Sequence, residues 1–476
     1  MKSKNIRLAV AVAVAALVAV PMFAARGSAN FTRFVVIGDS YGAGFQSGSL
    51  NINHQVYSWP AIIAQQAGLK LCGPTATATD NCFAQPLVSY PGIGPELVLQ
   101  NLTVGPVSQS GQGTPLMTTF GRPYNNLSVP GATVGAALAI TGAEAPSAGE
   151  PTAVTFGRFI LRGLGTEVQQ AVAQHPTFIA MWLGGNDYLG SALAGTDKAL
   201  TPTDVFAQRY NAILDQLVAG APDAGMVVGN LPAVIPPIFT LVPPFVINPA
   251  TSQPVLGPDG KPIYYIAELG DGTVGQLPPG SLVLLDARAQ IASGFGLPPV
   301  PPFNALPNAG KPLPDRLVLT PTEIGNIVTR VGEYNNVINQ AATARNIPVA
   351  DIAGLFNSVT VNPATGAGGL QVGPVKITNA FVTGGFFSLD GFHLTDFGYL
   401  LFADQYIRAI NAGYGTEIPL AGVTPYMQQW PLPAQAGIPP GNASAGSIVV
   451  PDSVSIDLRT MFGAVPPARH FRAVHH

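Results

Sequence analysis

Ser40 lies in Gly38-Asp39-Ser40-Tyr41-Gly42, directly behind the apolar run Phe34-Val35-Val36-Ile37. A serine at the carboxyl end of a parallel strand, where the next helix begins, sits on the ligand side of an α/β sheet. Its hydroxyl is exposed there, and nearby backbone N–H groups can stabilise an oxyanion. The histidines are His54, His175, His393, His470, His475 and His476, and of these only His393 has a carboxylate at a spacing suited to one turn, Asp390. In Asp390-Gly391-Phe392-His393 a single turn can present the carboxylate to the imidazole and fix its tautomer. The other ring nitrogen is then left to take a proton from serine. His175 precedes Pro176 at a helix end, where it can cap carbonyls.

Two further segments carry groups suited to a developing negative charge. Asn126-Leu127-Ser128-Val129-Pro130-Gly131-Ala132 places Gly131 in a tight turn whose N–H can approach a ligand closely. Leu183-Gly184-Gly185-Asn186-Asp187 follows the apolar strand 177–183 and emerges on the same side of the sheet as Ser40, with the Asn186 amide as a donor. Alone, each segment is an ordinary turn with a Gly, Ser or Asn in it. Gly38-x-Ser40-x-Gly42 also matches the nucleophile elbow of α/β-hydrolases, but that elbow follows several strands, and this serine follows the first. A dinucleotide-binding turn would need a third glycine that the stretch Gly42 to Ser47 lacks.

The elements that must position these groups alternate. Helices are predicted over 56–67, interrupted near its start by Pro60, and over 159–173. A further helix at 201–219 carries Thr201 as cap and Pro202 in its first turn. Another begins at the capping box Thr320-Pro321-Thr322-Glu323 and runs to 344, and a last one spans 396–411. Strands are predicted at 34–37, 177–183, 226–228 and 348–352. Alternating strands and helices imply a parallel sheet covered on both faces.

The four segments, in this order, resemble the SGNH (GDSL-type) hydrolase family. Its blocks match Gly38-Asp39-Ser40, Gly131, Gly184-x-Asn186-Asp187 and Asp390-x-x-His393, across about 31–412. The resemblance implies a flavodoxin-like three-layer α/β/α fold around a five-stranded parallel sheet. It also implies ester hydrolysis with Ser40 as nucleophile, His393 as general base and then acid, and Asp390 orienting it. The oxyanion hole would be the Ser40 N–H, the Gly131 N–H and the Asn186 side chain. No metal or cofactor is implied. Tyr41 stands where the family often has Leu, and Leu394 where Pro is frequent.

Composition sets the surroundings. Of 476 residues, 54 are Gly and 46 Pro, only 10% are charged and 47% are hydrophobic. Such a chain can bury a large core and is not disordered. A net charge of −3 gives no footprint for nucleic acid. Lys2, Lys4 and Arg7 precede the apolar run Leu8 to Val20, too short to span a membrane. This predicts a signal peptide over 1–29, cut before Asn30, and an exported, periplasmic or extracellular protein without an integral span in the mature chain. Cys72 and Cys82, the only cysteines, are expected to form a local disulfide.

The hydrolase domain is expected over 30–415, with insertions at about 68–125, 231–318 and 353–387. The largest insertion carries 18 of the 46 prolines, a hairpin-like turn at Pro258-Asp259-Gly260 and a strand at 282–285. The remaining 416–476 form a C-terminal extension rich in turn formers, too short for a membrane β-barrel. Apolar insertions favour a lipid-like or aryl acyl ester as the small-molecule substrate. Two alternatives are a carbohydrate O-deacetylase, against which a count of 3 Trp weighs mildly, and a secreted binding protein that keeps the fold without turnover.

Overall fold

The computed structural model describes residues 25–423 except 95, 102–104, 363–364 and 374. The run Leu8 to Val20 and the extension from 424 onward lie outside the described residues.

Four short, apolar segments form a parallel sheet in the order β1 (Phe34–Gly38), β2 (Phe178–Trp182), β3 (Gly225–Gly229), β4 (Val349–Ala350). Every residue of β1, β2 and β3 is buried, as expected of strands covered on both faces. β1 and β2 align Phe34 with Phe178 and Gly38 with Trp182, so both strands end level at the edge that carries Ser40.

The sheet therefore has four strands, where five were expected. A fifth line of chain does run beside β1: Val36 N donates to Asn125 O, Leu127 N to Val36 O and Val129 N to Gly38 O, at 2.8–2.9 Å. It is not a regular strand because the Asn125 and Asn126 N–H groups turn to Ala84 O in the 68–125 insertion. Pro130 and Gly131 then end it.

Helices cover both faces. One layer holds α2 (Trp59–Gln66), α7 (Ile352–Val359) and α8 (Asp396–Tyr414). Its seam is aromatic, with Trp59 stacked on Tyr406 at 4.5 Å and the Tyr406 hydroxyl donating to Met181 O in the sheet. The other layer holds α3 (Glu167–Ala173), α5 (Thr203–Gly220) and α6 (Pro321–Thr343), where Phe206 stacks on Tyr334. The expected capping box of α6 forms, with Thr320 and Glu323 satisfying each other's backbone N–H groups.

Other boundaries moved. The helix expected over 159–173 is two helices, Thr152–Ile160 and α3, because Arg162, Gly163 and Gly165 adopt positive φ between them. α5 starts at Thr203 behind Pro202, without a side-chain cap from Thr201. Pro60 does not break α2 but sits in its first turn, where its missing N–H has no cost, and Ser58 caps the helix. The 353–387 insertion opens as helix α7.

The insertions are packed structure. Within 231–318, Val246, Tyr265, Leu277, Leu285, Leu297 and Leu313 are buried. The turn at 257–261 closes through Gly257 N to Lys261 O, and Leu282–Val283 pairs antiparallel with Val318–Leu319. In the 68–125 insertion, Cys72 and Cys82 are disulfide-bonded with Cα atoms 5.1 Å apart, beside a small separate core of Ala84, Leu87, Met117, Phe120 and Tyr124. Among the described residues no helix is long and apolar enough to cross a membrane.

Closing so short a loop removes unfolded-state entropy worth about 2–3 kcal/mol. Replacing both cysteines by serine should lower the free energy of urea unfolding by that amount. An unchanged transition would show that the staple constrains nothing.

Candidate active site

β1 delivers Ser40 to the sheet edge and a single helical turn, α1 (Ser40–Ala43), holds it there. Asp39 caps that turn, its Oδ1 accepting from Tyr41 N at 3.0 Å. Gly42 explains the Ser-x-Gly spacing: a Cβ there would fall 2.2 Å from Ser128 Oγ, so only glycine lets the turn lie against the neighbouring segment. Behind it, Gly38 N donates to the buried Glu167 Oε2 at 2.9 Å, tying the strand end to α3. Burial pushes the Glu167 carboxyl well up.

Asp390 and His393 lie in one tight turn ahead of α8, closed by Gly391 N to Ser388 O and Ser388 N to His393 O. Asp390 Oδ1 accepts from the N–H groups of Phe392 and His393 at 2.9 and 2.7 Å. Its Oδ2 accepts from His393 Nδ1 and from Gly48 N, both at 2.9 Å. Both side chains are buried. Burial alone would push the Asp390 carboxyl up, but His393 and the N–H donors hold it below the usual range.

The serine and histidine turns meet through aromatic side chains. The Tyr41 hydroxyl donates to Phe392 O at 2.8 Å, and the rings of Phe45 and Tyr41 lie 4.8 and 5.7 Å from the imidazole.

Asn186 joins the other two segments. It opens α4 (Asn186–Leu193), and its Nδ2 donates to Ala132 O at 3.0 Å and to Asp39 Oδ2 at 3.3 Å. Its amide thus bridges the residue after Gly131 and the residue before Ser40. Gly131 has φ +82°, and a Cβ would lie 2.9 Å from that of Thr152. Asp187 fixes the arrangement by accepting from Val134 N and the Thr201 hydroxyl, both at 3.0 Å. Burial pushes Asp187 up to about 6 against those donors, and pushes Asp39 well up.

Ser40 and Asn186 line a common cavity of about 370 Å³, walled by Tyr41, Trp182, Pro232, Val234, Phe356 and Phe392 among others. All the segments singled out in the sequence therefore converge on one edge of the sheet. His175 lies away from it, with φ +49° and its carbonyl accepting from Arg33 Nε. His470, His475 and His476 lie outside the described residues.

Sequence reasoning did not single out His54. Its Nδ1 meets Asp396 Oδ1 at 3.0 Å and its Nε2 meets Glu96 Oε1 at 2.9 Å. The imidazole thus ties the 68–125 insertion to the first turn of α8, three residues beyond His393. No local pattern announces it, because the partners are 342 and 42 residues away. Glu167 escaped for the same reason, being 129 residues from the Gly38 N–H it accepts.

A family model for GDSL-like lipase/acylhydrolase matches residues 34–406. An α/β sheet with a serine turn at its carboxyl edge is the class the coordinates define, and within it the chain belongs to the GDSL-like lipase/acylhydrolase family. By that membership it is a hydrolase. In three dimensions it is similar to an extracellular lipase from Streptomyces rimosus, at 15% identity over 80% of this chain and 99% of that one, with a TM-score of 0.31. It is also similar to a family 3 carbohydrate esterase from Clostridium thermocellum, at 12% identity, 80% and 96% coverage and a TM-score of 0.31. A phospholipase A1 from Streptomyces albidoflavus gives 14% identity, 82% and 100% coverage and the same TM-score of 0.31. No curated protein matches the chain.

Burial alone would depress the His54 imidazole, but Asp396 and Glu96 outweigh it and push it up to about 10. A folded-state value above the reference of about 6.5 means the clasp stabilises fully below that pH. Its contribution is lost as pH rises through about 10. The midpoint of denaturant unfolding of His54→Gln should therefore trail the parent most near pH 6.5 and approach it above pH 10. A gap independent of pH would remove the charged clasp.

Proposed function

We propose that this chain is an exported serine esterase that hydrolyses carboxylic esters with apolar acyl or aryl groups. The observation that carries the reading is the convergence of Ser40, Asn186 and Phe392 on one apolar-walled cavity, with the bonded His393–Asp390 pair packed against Tyr41 and Phe45 beside it.

In this reading Ser40 Oγ attacks the ester carbonyl carbon while His393 Nε2 takes its proton. Asp390, held by four N–H donors, stabilises the imidazolium without itself taking the proton. The oxyanion is received by the N–H groups of Ser40 and Gly131 and by Asn186 Nδ2. The incoming charge competes with Asp39 for one Asn186 N–H, and at 3.3 Å that is the longer of the two bonds the amide makes. His393 then protonates the departing alcohol, and a water activated by the same nitrogen releases the acid and regenerates Ser40. Every step uses side chains and backbone of this chain.

The cavity walls support the choice of ester. Aromatic and proline side chains surround Ser40, which suits apolar groups better than a sugar ring needing its hydroxyls matched.

Export is supported by the disulfide. Arg26 donates to the carbonyls of Ala224 and Pro222, and Ser28 bridges to Ala224, so Arg26 to Ser28 belong to the folded body. We accordingly place leader cleavage at or before Arg26, upstream of the Asn30 boundary read from sequence.

Ser40→Ala should abolish hydrolysis of p-nitrophenyl butyrate, and retained turnover would end the assignment. Asn186→Ala should lower kcat about 10²–10³-fold with KM little changed, as for loss of one oxyanion donor.

A further inference from the structure

We propose that an apolar cleft between α4, α6 and the 231–318 insertion receives the acyl chain of the substrate, making the enzyme selective for long, straight aliphatic acyl groups. This inference rests on the serine-esterase reading and adds where the chain goes and which chain fits.

The cleft spans about 440 Å³, part of it open to solvent, and is distinct from the cavity at Ser40, yet Tyr188, Leu189, Val234 and Pro236 line both. One layer of side chains is therefore all that separates them. Tyr188 is central to that layer, its hydroxyl donating to Pro232 O at 3.0 Å so that the ring's apolar body faces the two spaces. The far wall is α6, whose Ile324, Ile327, Val328 and Val331 repeat at i, i+3, i+4 and i+7 and form one apolar stripe. Such a stripe normally meets another element of the fold. Here its inner residues Ile327 and Val331 are buried in the core where they border the cleft, and Val328, 41% exposed, marks the solvent rim.

Among the described residues, the lining contains no charged side chain, and its one hydroxyl is engaged by Pro232. Water gains little in such a space, and a hydrocarbon is the ligand that fits it. A sugar would strand its hydroxyls there, and an acetyl group would not extend beyond the Ser40 cavity.

The acyl side, not the alcohol side, is implied by the order of groups on α4. The carbonyl oxygen must face Asn186, and Tyr188 and Leu189 follow it on the same helix toward the cleft. The leaving alcohol must face His393, and no residue of the 381–396 loop lines the cleft.

The test is a chain-length series of p-nitrophenyl esters from butyrate to dodecanoate, run beside acetate esters of long alcohols. On the unaltered enzyme kcat/KM should rise up to about fourfold per added methylene until the cleft is full. Val331→Phe, which fills the cleft, and Val328→Trp, at the exposed rim where folding is not threatened, should each cut the dodecanoate-to-butyrate ratio at least tenfold. A ratio unmoved by Val328→Trp overturns the proposal, as does preference for acetates of long alcohols or for acetyl esters. Calorimetry with free dodecanoate on the Ser40→Ala chain separates the two readings. Dodecanoate binding that Val328→Trp removes supports the cleft even if Ser40 proves not to be the nucleophile. A failure to bind it overturns the cleft while leaving the serine chemistry to its own test.

Discussion

The Asp390 carboxylate is the constraint on which the rest of the structure depends. It is fully buried, and a buried carboxylate is tolerated only when its oxygens are met by donors. Three of the four donors come from its own turn, from the N–H groups of Phe392 and His393 and from the His393 ring. The fourth, Gly48 N, comes from the loop that follows the serine turn, 342 residues earlier. That one bond requires the two ends of the domain to close on each other. Ser47 N to Ser388 Oγ at 2.9 Å and the Tyr399 hydroxyl to Phe45 O reinforce the same seam. The His54 clasp extends it outward to the 68–125 insertion. An insertion remote from Ser40 is thus mechanically joined to the helix behind His393.

A second pattern is the ring of acids that burial drives toward the neutral form. Asp39, Asp187 and Glu167 all sit within the framework of the serine and Asn186 segments, and all are pushed up by desolvation. Each accepts from a backbone N–H, so each fixes a loop. Asp39 matters most, because its Oδ2 lies 3.3 Å from the Asn186 amide nitrogen. A full negative charge there would oppose an oxyanion at the same amide, and desolvation works against that charge. Asp390 is the exception, its carboxyl held below the usual range by His393 and its N–H donors.

What could be read from sequence was whatever is local. The strand ending at Ser40, the Asp390-x-x-His393 turn, the Thr320–Glu323 capping box and the cysteine pair each lie within a few residues of chain, and each is where it was expected. The misses are non-local or cooperative. The segment 125–129 opens with two asparagines and reads as a turn, and its outer hydrogen bonds go to Ala84, which periodicity does not report. The break at 161–166 depends on a left-handed Arg162 between two short helices whose apolar spacing reads as continuous. His54 and Glu167 acquire partners only after the chain has folded.

The proline excess also acquires a physical role at the site. Pro232 and Pro236 border the Ser40 cavity, and Pro236 and Pro237 set the short 3₁₀ turn at 237–240. Proline removes conformational freedom from the unfolded chain, so an apolar loop built from it loses less entropy on ordering. Such a loop also lacks the freedom to collapse into a neighbouring void. A flexible apolar segment facing the stripe of α6 would fold over its exposed rim and cover Val328. A segment fixed by prolines, and by the Tyr188 bond to Pro232 O, holds its distance and keeps the cleft open. The same low charge and high proline content that make the chain look anomalous are therefore what a preformed apolar site beside a serine requires.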